Sequence, residues 1–153
     1  MNTDKVKALV NEAIEENSEL FLIDLKISTD NQILVVVDGD TGVILSECIR
    51  ISRNVEHNLD REEEDFSLEV TTPNITDPIT HLRQYNKNIG RILKVKTESD
   101  KFEGKLIEIN ENELTLQWSS REPKPVGKGK ITVVKEEKIP LEQIKEAKVK
   151  IIF

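Results

Sequence analysis

Apolar residues at helical spacing predict two helices in the first half of the chain. The first is expected to begin at a capping Thr3 and to end near Glu16, because apolar side chains recur there every three or four positions. The second is expected to follow an N-capping Ser46. The side chains that it would bury are Cys48, Ile51, Val55 and Leu59.

Alternating apolar and polar residues at 21–27 and 66–71, and a continuous β-branched run at 33–37, predict three strands around these helices. Residues 21–27 and 33–37 are separated by the turn residues Asp30 and Asn31, which is typical of a hairpin. Residues 66–71 place three apolar side chains on one face of a third strand. The predicted order is α-β-β-α-β, in which helices cover one face of the sheet and leave the other to solvent or a partner.

The second half of the chain has a different pattern. Ile79, Leu82 and Tyr85 predict a short helix, and residues 140–144 predict a single helical turn. Short apolar runs predict five strands, a number and length typical of a small barrel. They cover residues 92–97, 102–109, 114–118, 131–134 and 148–152.

Two prolines mark the boundary between the halves. Pro73 lacks the N–H that a strand ladder needs, and Pro78 disfavours helical geometry at Asp77. We therefore expect residues 72–77 to form an extended, rather rigid joint. The chain is then α+β and divides into an N-terminal α/β domain at 1–72, a connector at 73–78, and a C-terminal barrel with a short leading helix at 79–153.

Charge separates the same two halves. The whole chain carries 22 basic and 29 acidic residues, a net charge of -7 that by itself argues against a nucleic-acid partner. Residues 1–83 hold 7 basic and 18 acidic side chains, whereas residues 84–153 hold 15 basic and 11 acidic ones. Any contact with phosphates is therefore expected in the C-terminal half, and the acidic half is better suited to basic protein surfaces.

Composition also indicates the cellular compartment of the protein. No stretch approaches the roughly 20 apolar residues of a membrane-spanning helix, and Asp4 and Lys7 lie where a signal peptide would be apolar. Cys48 is the single cysteine, which excludes an internal disulfide and a cysteine-rich zinc site. We expect a cytoplasmic protein that needs no cofactor and has no membrane partner.

A basic segment at 121–135 is the strongest functional candidate that the residues offer alone. It carries five cations against the single acid Glu122, interleaved with prolines and glycines that predict a mobile loop. Such a loop can follow a phosphate backbone without reading sequence; a solubilising hairpin loop is an equally good interpretation. The cations are Arg121, Lys124, Lys128, Lys130 and Lys135.

Trp118 precedes this segment and has two interpretations. It is suited to stacking on a base, but packing at the end of a barrel strand is favoured. Aromatic residues are only 4% of the chain, too few for the stacking sheet of an RNA-recognition domain.

Other polar groups favour ordinary structural roles. The residues Asp38 to Gly42 resemble a calcium loop but lack its later ligands, so a turn between strand and helix is expected. Cys48 is expected in the core, and His57 and His81 have no cysteine or second histidine near them in sequence. We predict no metal site.

An acidic run offers a second interaction candidate. Glu62, Glu63, Glu64 and Asp65 would suit a basic protein, although such runs are more often solvated loops. No nucleophile grouping or phosphate-binding glycine loop of known spacing is present, so an enzyme is not expected, and no small-molecule substrate is predicted.

The connector resembles the RimP family of ribosome maturation factors, and the resemblance extends over nearly the whole chain. The family pattern is Leu-Glu-Val-Ser-Ser-Pro-Gly-Leu-Asp-Arg-Pro-Leu. The residues that match it outright are Leu68, Glu69, Val70, Pro73 and Pro78.

Three connector positions depart from that pattern. Asn74 stands where the family has Gly, which is compatible with left-handed backbone geometry. Thr76 and Asp77 replace an Asp and an Arg, which removes a cation. Further similarity is carried by Asp38 and Gly42, by Gly90-Arg91, and by the later motifs Phe102-x-Gly104-x-Leu106 and Ile144-x-x-Ala147-x-Val149.

The resemblance implies a C-terminal barrel of the SH3-like or Sm-like type and a non-enzymatic role. A protein of this family is expected to bind immature small ribosomal subunits, as a monomer, through ribosomal RNA and a basic ribosomal protein. Glu69, Pro73, Asn74, Asp77 and Pro78 form the expected joint. The alternative function is a general RNA-binding barrel module.

Overall fold

The computed structural model describes residues 1–151. It divides the chain into two compact units, Met1–Asn74 and a second that starts at Ile75. Each unit has its own hydrophobic core. The units are therefore described one at a time.

The first unit has the predicted order α-β-β-α-β. In its sheet β1 and β2 are antiparallel, whereas β3 runs parallel to β2 because α2 carries the chain back across the sheet. The elements are α1 (Thr3–Glu15), β1 (Leu20–Ile27), β2 (Gln32–Gly39), α2 (Leu45–Glu56) and β3 (Ser67–Thr71).

Both predicted helix caps of this unit were wrong. The side chain of Asn2, not that of Thr3, accepts the backbone N–H of Lys5 at 3.1 Å. Ser46 lies inside α2, and Ile44 occupies its N-cap position without a side-chain hydrogen bond. A capping residue type adjacent to the true start is not enough to fix a boundary.

The core of the first unit lies between its helices and its sheet. Two of the residues predicted to be buried by α2, Ile51 and Val55, are fully buried, whereas Cys48 and Leu59 are only partly so. They meet the buried strand residues Ile33, Val35 and Val37 and the α1 residues Val6, Val10, Ala13 and Ile14.

Arg50 ties the two helices of this unit together. Its Nη1 donates to the backbone oxygen of Ala13 at 2.7 Å and to Glu16 at 2.8 Å, and its Nε donates to Glu47 at 2.7 Å. The hydrogen bond from Arg50, together with one from Asn17, holds the pKa of the Glu47 carboxyl below its ordinary value. A carbonyl at the end of α1 is thus satisfied by a side chain of α2.

We predict that Arg50→Met lowers the free energy of unfolding of the first unit by about 1–3 kcal/mol, because it leaves the Ala13 carbonyl without its side-chain donor and the Glu47 carboxylate with only the hydrogen bond from Asn17. Far-ultraviolet circular dichroism during urea unfolding reports this, since α1 and α2 contain most of the helical residues. The exposed Arg53→Met on the same helix is the matched control. An equal loss in both variants would contradict the assigned role.

The same contact predicts a pH dependence. The Glu47 carboxyl has a lowered pKa in the folded state, so its contribution to stability is present above the unfolded value of about 4.3 and is lost as pH falls through the folded pKa. Unfolding measured from neutral to acidic pH should therefore show a shallower acid loss in Arg50→Met than in the parent protein.

The second unit is a short helix followed by one antiparallel sheet, so the chain as a whole is α+β. The hydrogen-bonded strand order is β7-β6-β5-β4-β8. The elements are α3 (Leu82–Lys87), β4 (Ile92–Thr97), β5 (Lys101–Ile109), β6 (Glu113–Pro123), β7 (Lys130–Pro140) and β8 (Ile144–Val149), with a single helical turn at Leu141–Gln143.

The barrel expected for this unit is not shown by the strand pairing. The order ends at β7 on one side and at β8 on the other, and no pairing between these two strands is present in residues 1–151. The last strand also starts at Ile144, earlier than predicted, and ends at Val149; the predicted end at Ile152 lies outside the described residues.

Close approach of β5 and β6 depends on Gly104. A Cβ added at this buried glycine would lie 2.9 Å from the backbone oxygen of Gln117. Leu106, Leu114 and Leu116 pack in the fully buried core beside it. Trp118 is partly buried against this core, with its ring 6.5 Å from that of Phe102.

We predict that Gly104→Ala destabilises the second unit by about 1–3 kcal/mol, because the new methyl group can be accommodated only by moving one strand. The fluorescence of Trp118, the only tryptophan, reports unfolding of this sheet. Glu108→Ala, an exposed position on the same strand, should change stability by less than about 0.5 kcal/mol. An unfolding transition of Gly104→Ala equal to that of the parent protein would show that β5 and β6 can accommodate a methyl group between them.

Candidate nucleic-acid interface

The basic segment forms a two-stranded ribbon and not the predicted mobile loop. Pairing of β5 with β6 stops at Lys105 and Gln117, whereas β6 and β7 continue together to Pro123 and Lys130. In the described part of the chain, residues 118–123 therefore pair with β7 alone. We call residues 119–123 and 130–134 the ribbon.

The prediction failed because the prolines and glycines interleaved with the cations were taken as evidence for a mobile loop. A ribbon that has solvent on both sides needs no apolar face, and the β-branched run Ile131 to Val134 favours extended backbone. Arg121 and Lys130 thus belong to the ribbon and Lys135 to β7 beside it, and only Lys124 and Lys128 lie in the connecting loop.

The loop at 124–129 closes the ribbon. The N–H of Lys124 donates to the oxygen of Gly129 at 3.2 Å, and Gly127 and Gly129 have φ values of 88° and 95° that other residues rarely adopt. Val126 is 87% exposed between the two loop lysines. The end of the ribbon is thus cationic with one apolar side chain at its tip.

The five cations differ in their partners. Lys135 forms an ion pair with Glu122 at 2.5 Å, and Arg121 donates from Nη1 to the hydroxyl of Thr132 at 3.1 Å. Within residues 1–151, Lys124, Lys128 and Lys130 form no ion pair, and all three are exposed. Four of the five cations are therefore available to an anionic partner, and the charge of Lys135 is already compensated.

Thr132 is the residue that the sequence interpretation missed, whereas Glu122 was noted as the single acid of the basic segment. The signal for Thr132 was the alternation of Arg121, Pro123, Lys130 and Thr132 on either side of a proline- and glycine-rich turn, which indicates a hairpin. Recognising the hairpin would have placed Arg121 opposite Thr132.

The acidic run, residues 62–65, forms a turn in which two of the four carboxylates are in ion pairs. Glu64 pairs with the amino terminus of Met1 at 2.8 Å, and Asp65 pairs with Arg61 at 3.3 Å. Glu62 and Glu63 are exposed and have no ion pair among the described residues. Arg61 also lies over the ring of Phe66 at 4.1 Å, which attaches the turn to the first unit.

The joint residues lie on an irregular backbone. Glu69 is exposed on β3, Pro73 is half-buried, and Asn74, Asp77 and Pro78 are exposed. The expected extended geometry was wrong in part, because the chain turns at residues 75–76 and bends at Asp77. None of the four residues between Pro73 and Pro78 is a proline, so the backbone is free to turn there.

The side chains that could bind a metal ion or act as a nucleophile lie apart from one another in the described residues. Asp40 and Gly42 form a bridged turn after β2, and burial raises the pKa of the Cys48 thiol. His81 Nδ1 accepts the N–H of Arg83 at the start of α3. No group of three or more His, Cys, Asp or Glu side chains within residues 1–151 is placed to hold a metal ion.

No described helix is both long enough and apolar enough to span a lipid bilayer.

Comparison with known proteins gives consistent matches. The family model described as the RimP N-terminal domain matches residues 9–76. The chain is 57% identical over 153 residues to the ribosome maturation factor RimP of Christiangramia forsetii, covering 100% of both chains. It is 51% identical over 150 residues to that of Flavobacterium psychrophilum, covering 98% of this chain and 97% of the relative. The protein of the same name from Cytophaga hutchinsonii is 27% identical over 160 residues.

Proposed function

The chain belongs to the RimP family of ribosome maturation factors, and from this premise we propose that it assists assembly of the small ribosomal subunit by binding its immature form. The observation that carries the proposal is the similarity over the full length of relatives named for ribosome maturation. In this proposal the protein acts by binding, as a cytoplasmic monomer, and carries out no catalytic step.

The ribbon and the loop that closes it, residues 124–129, are together the proposed contact with ribosomal RNA. Arg121, Lys124, Lys128 and Lys130 are exposed. Each cation that replaces counterions on a phosphate adds to affinity without reading base sequence. The support is electrostatic: residues 121–135 hold five cations and one acid in a chain of net charge -7.

The acidic turn is the proposed contact with a basic ribosomal protein. Its support is the exposure of Glu62 and Glu63, whose carboxylates are not compensated by any described ion pair. An exposed charge of this kind affects the rate of association more than the stability of the complex.

We also propose that the sheet of the second unit is a small barrel of the SH3-like or Sm-like type. Its support is the run of five antiparallel strands with a helical turn directly before the last one. The proposal further requires contact between β7 and β8.

We predict that tagged protein sediments with immature small subunits and not with finished ribosomes. A strain that lacks the protein should grow with a lowered ratio of mature small subunits, because assembly is slowed and not prevented. Sucrose-gradient profiles and analysis of ribosomal RNA precursors measure both effects. Normal precursor processing in the deletion strain would contradict the proposal, and equal affinity for unrelated structured RNAs would favour a general RNA-binding module.

We predict that changing Arg121, Lys124, Lys128 and Lys130 to Ala weakens binding to immature subunits stepwise and leaves the unfolding temperature nearly unchanged, because exposed charges contribute little to folding. Each substitution that removes a cation from a phosphate should lower the magnitude of the slope of log affinity against log salt by somewhat less than ~1.

The matched control removes four exposed lysines outside the ribbon. Changing Lys5, Lys7, Lys94 and Lys101 to Ala alters net charge equally. If this control lowers affinity and salt slope as much as the ribbon variant does, the effect belongs to net charge and not to the ribbon.

A further inference from the structure

The two faces of the ribbon differ in chemistry. Side chains alternate along each strand, and β6 and β7 pair without a register shift. The pairs Arg121–Thr132 and Ser119–Val134 therefore point to the same side as Lys130, which is opposite Pro123. We call Ser119, Arg121, Pro123, Lys130, Thr132 and Val134 the cationic face; it combines two cations with two hydroxyl groups and two apolar side chains and has no acid.

The opposite face is electrically compensated. Glu122 and Lys135 both project there and form the ion pair at 2.5 Å. Ser120, Ile131, Val133 and Trp118 complete this face, and Trp118 is partly buried against the core beside Phe102. An anionic partner is therefore attracted to one side of the ribbon only.

The composition of the ribbon argues against single-stranded nucleic acid. Unpaired bases are held mainly by stacking on aromatic side chains, and residues 119–134 include no aromatic residue. A surface with cations and hydroxyls but no stacking group is suited to the backbone of a double helix.

The chemistry of the ribbon indicates which groove fits. Five residue pairs extend over about 17 Å. The major groove of A-form RNA is deep and narrow, whereas its minor groove is wide and shallow and displays 2′-hydroxyl groups between two phosphate backbones. A face that carries cations and short hydroxyl side chains matches the groups that this minor groove displays.

We propose that the cationic face lies across the minor groove of an A-form RNA duplex, with Arg121 and Lys130 on phosphates and Ser119 and Thr132 beside 2′-hydroxyl groups. This inference rests on the proposed function and adds the form of the RNA and the side of the ribbon that contacts it. Thr132 has a second role, because its hydroxyl accepts from Arg121 at 3.1 Å and orients that guanidinium.

The test compares two single-lysine variants of the full-length protein. Binding to a blunt RNA duplex of about 16 base pairs, followed by fluorescence anisotropy, should weaken about 3- to 10-fold in Lys130→Ala, with a smaller salt slope. Lys135→Ala makes the same charge change on the opposite face and should weaken binding less than about 2-fold.

A third variant separates orientation from charge. Thr132→Val keeps the β-branched shape and the charge but removes the hydroxyl. It should weaken binding to the RNA duplex about 2- to 5-fold and leave the salt slope unchanged, because every cation that meets a phosphate is still present. A DNA duplex of the same sequence lacks 2′-hydroxyl groups, so Thr132→Val should weaken binding to it less than it weakens binding to the RNA duplex.

Several outcomes would overturn the inference. They are equal effects of Lys130→Ala and Lys135→Ala, equal affinity for single-stranded RNA, equal affinity for the DNA duplex, and absence of binding to the RNA duplex. Co-sedimentation of the parent protein with immature subunits is measured separately. If it persists while any of these outcomes is found, the face assignment fails and the proposed function stands; loss of co-sedimentation with the predicted duplex binding would show the reverse.

Discussion

Eleven consecutive residue pairs hold β6 and β7 in one antiparallel register. At the core end, Leu114 pairs with Ile139 and both side chains are buried, so a slip of one residue would turn an apolar side chain to solvent. Because side chains alternate strictly, burial at this end decides which cations share a face at Arg121, about 24 Å away along the strand. The cationic face is therefore a consequence of the core.

The first unit depends on a different constraint. Its helices cover one face of a small sheet, and Arg50 joins them through a backbone carbonyl and two carboxylates. These partly buried hydrogen bonds fix the relative position of the two helices in addition to their apolar contact. The acidic charge of this half, 18 acids against 7 cations in residues 1–83, repels phosphates.

Elements were predictable where one face is buried. The first and third strands of the first unit were found from apolar alternation, its second strand from a β-branched run, and the first two strands of the second unit from short apolar runs, because burial selects for such patterns. The cap at Asn2 was missed because Thr3 is also a capping residue type, and only the hydrogen bond to Lys5 distinguishes them. Barrel closure was implied by resemblance and strand number, neither of which specifies pairing between β7 and β8.

The five cations of the candidate site were all identifiable from composition. The positions of Arg121 and Lys130 on one face, of Lys135 on the other and of the remaining two in the loop were not. Ser119 to Pro123 contains no apolar residue, so no period could be read there, and the partner of each residue depends on pairing across the hairpin. Glu122 was visible as one acid among cations. Its compensation of Lys135 became apparent only from the ion pair.

The ribbon also constrains how the length of this hairpin can vary. Among the described residues, positions 119–123 have no strand partner except β7 and contribute no side chain to the core, so residues can be added or removed there without disturbing it. Inserting one residue pair between the core and Arg121 would turn every cation beyond it to the opposite side, whereas inserting two pairs would restore the original side. Hairpins of related length that keep a one-sided charge should therefore differ in steps of two residues per strand.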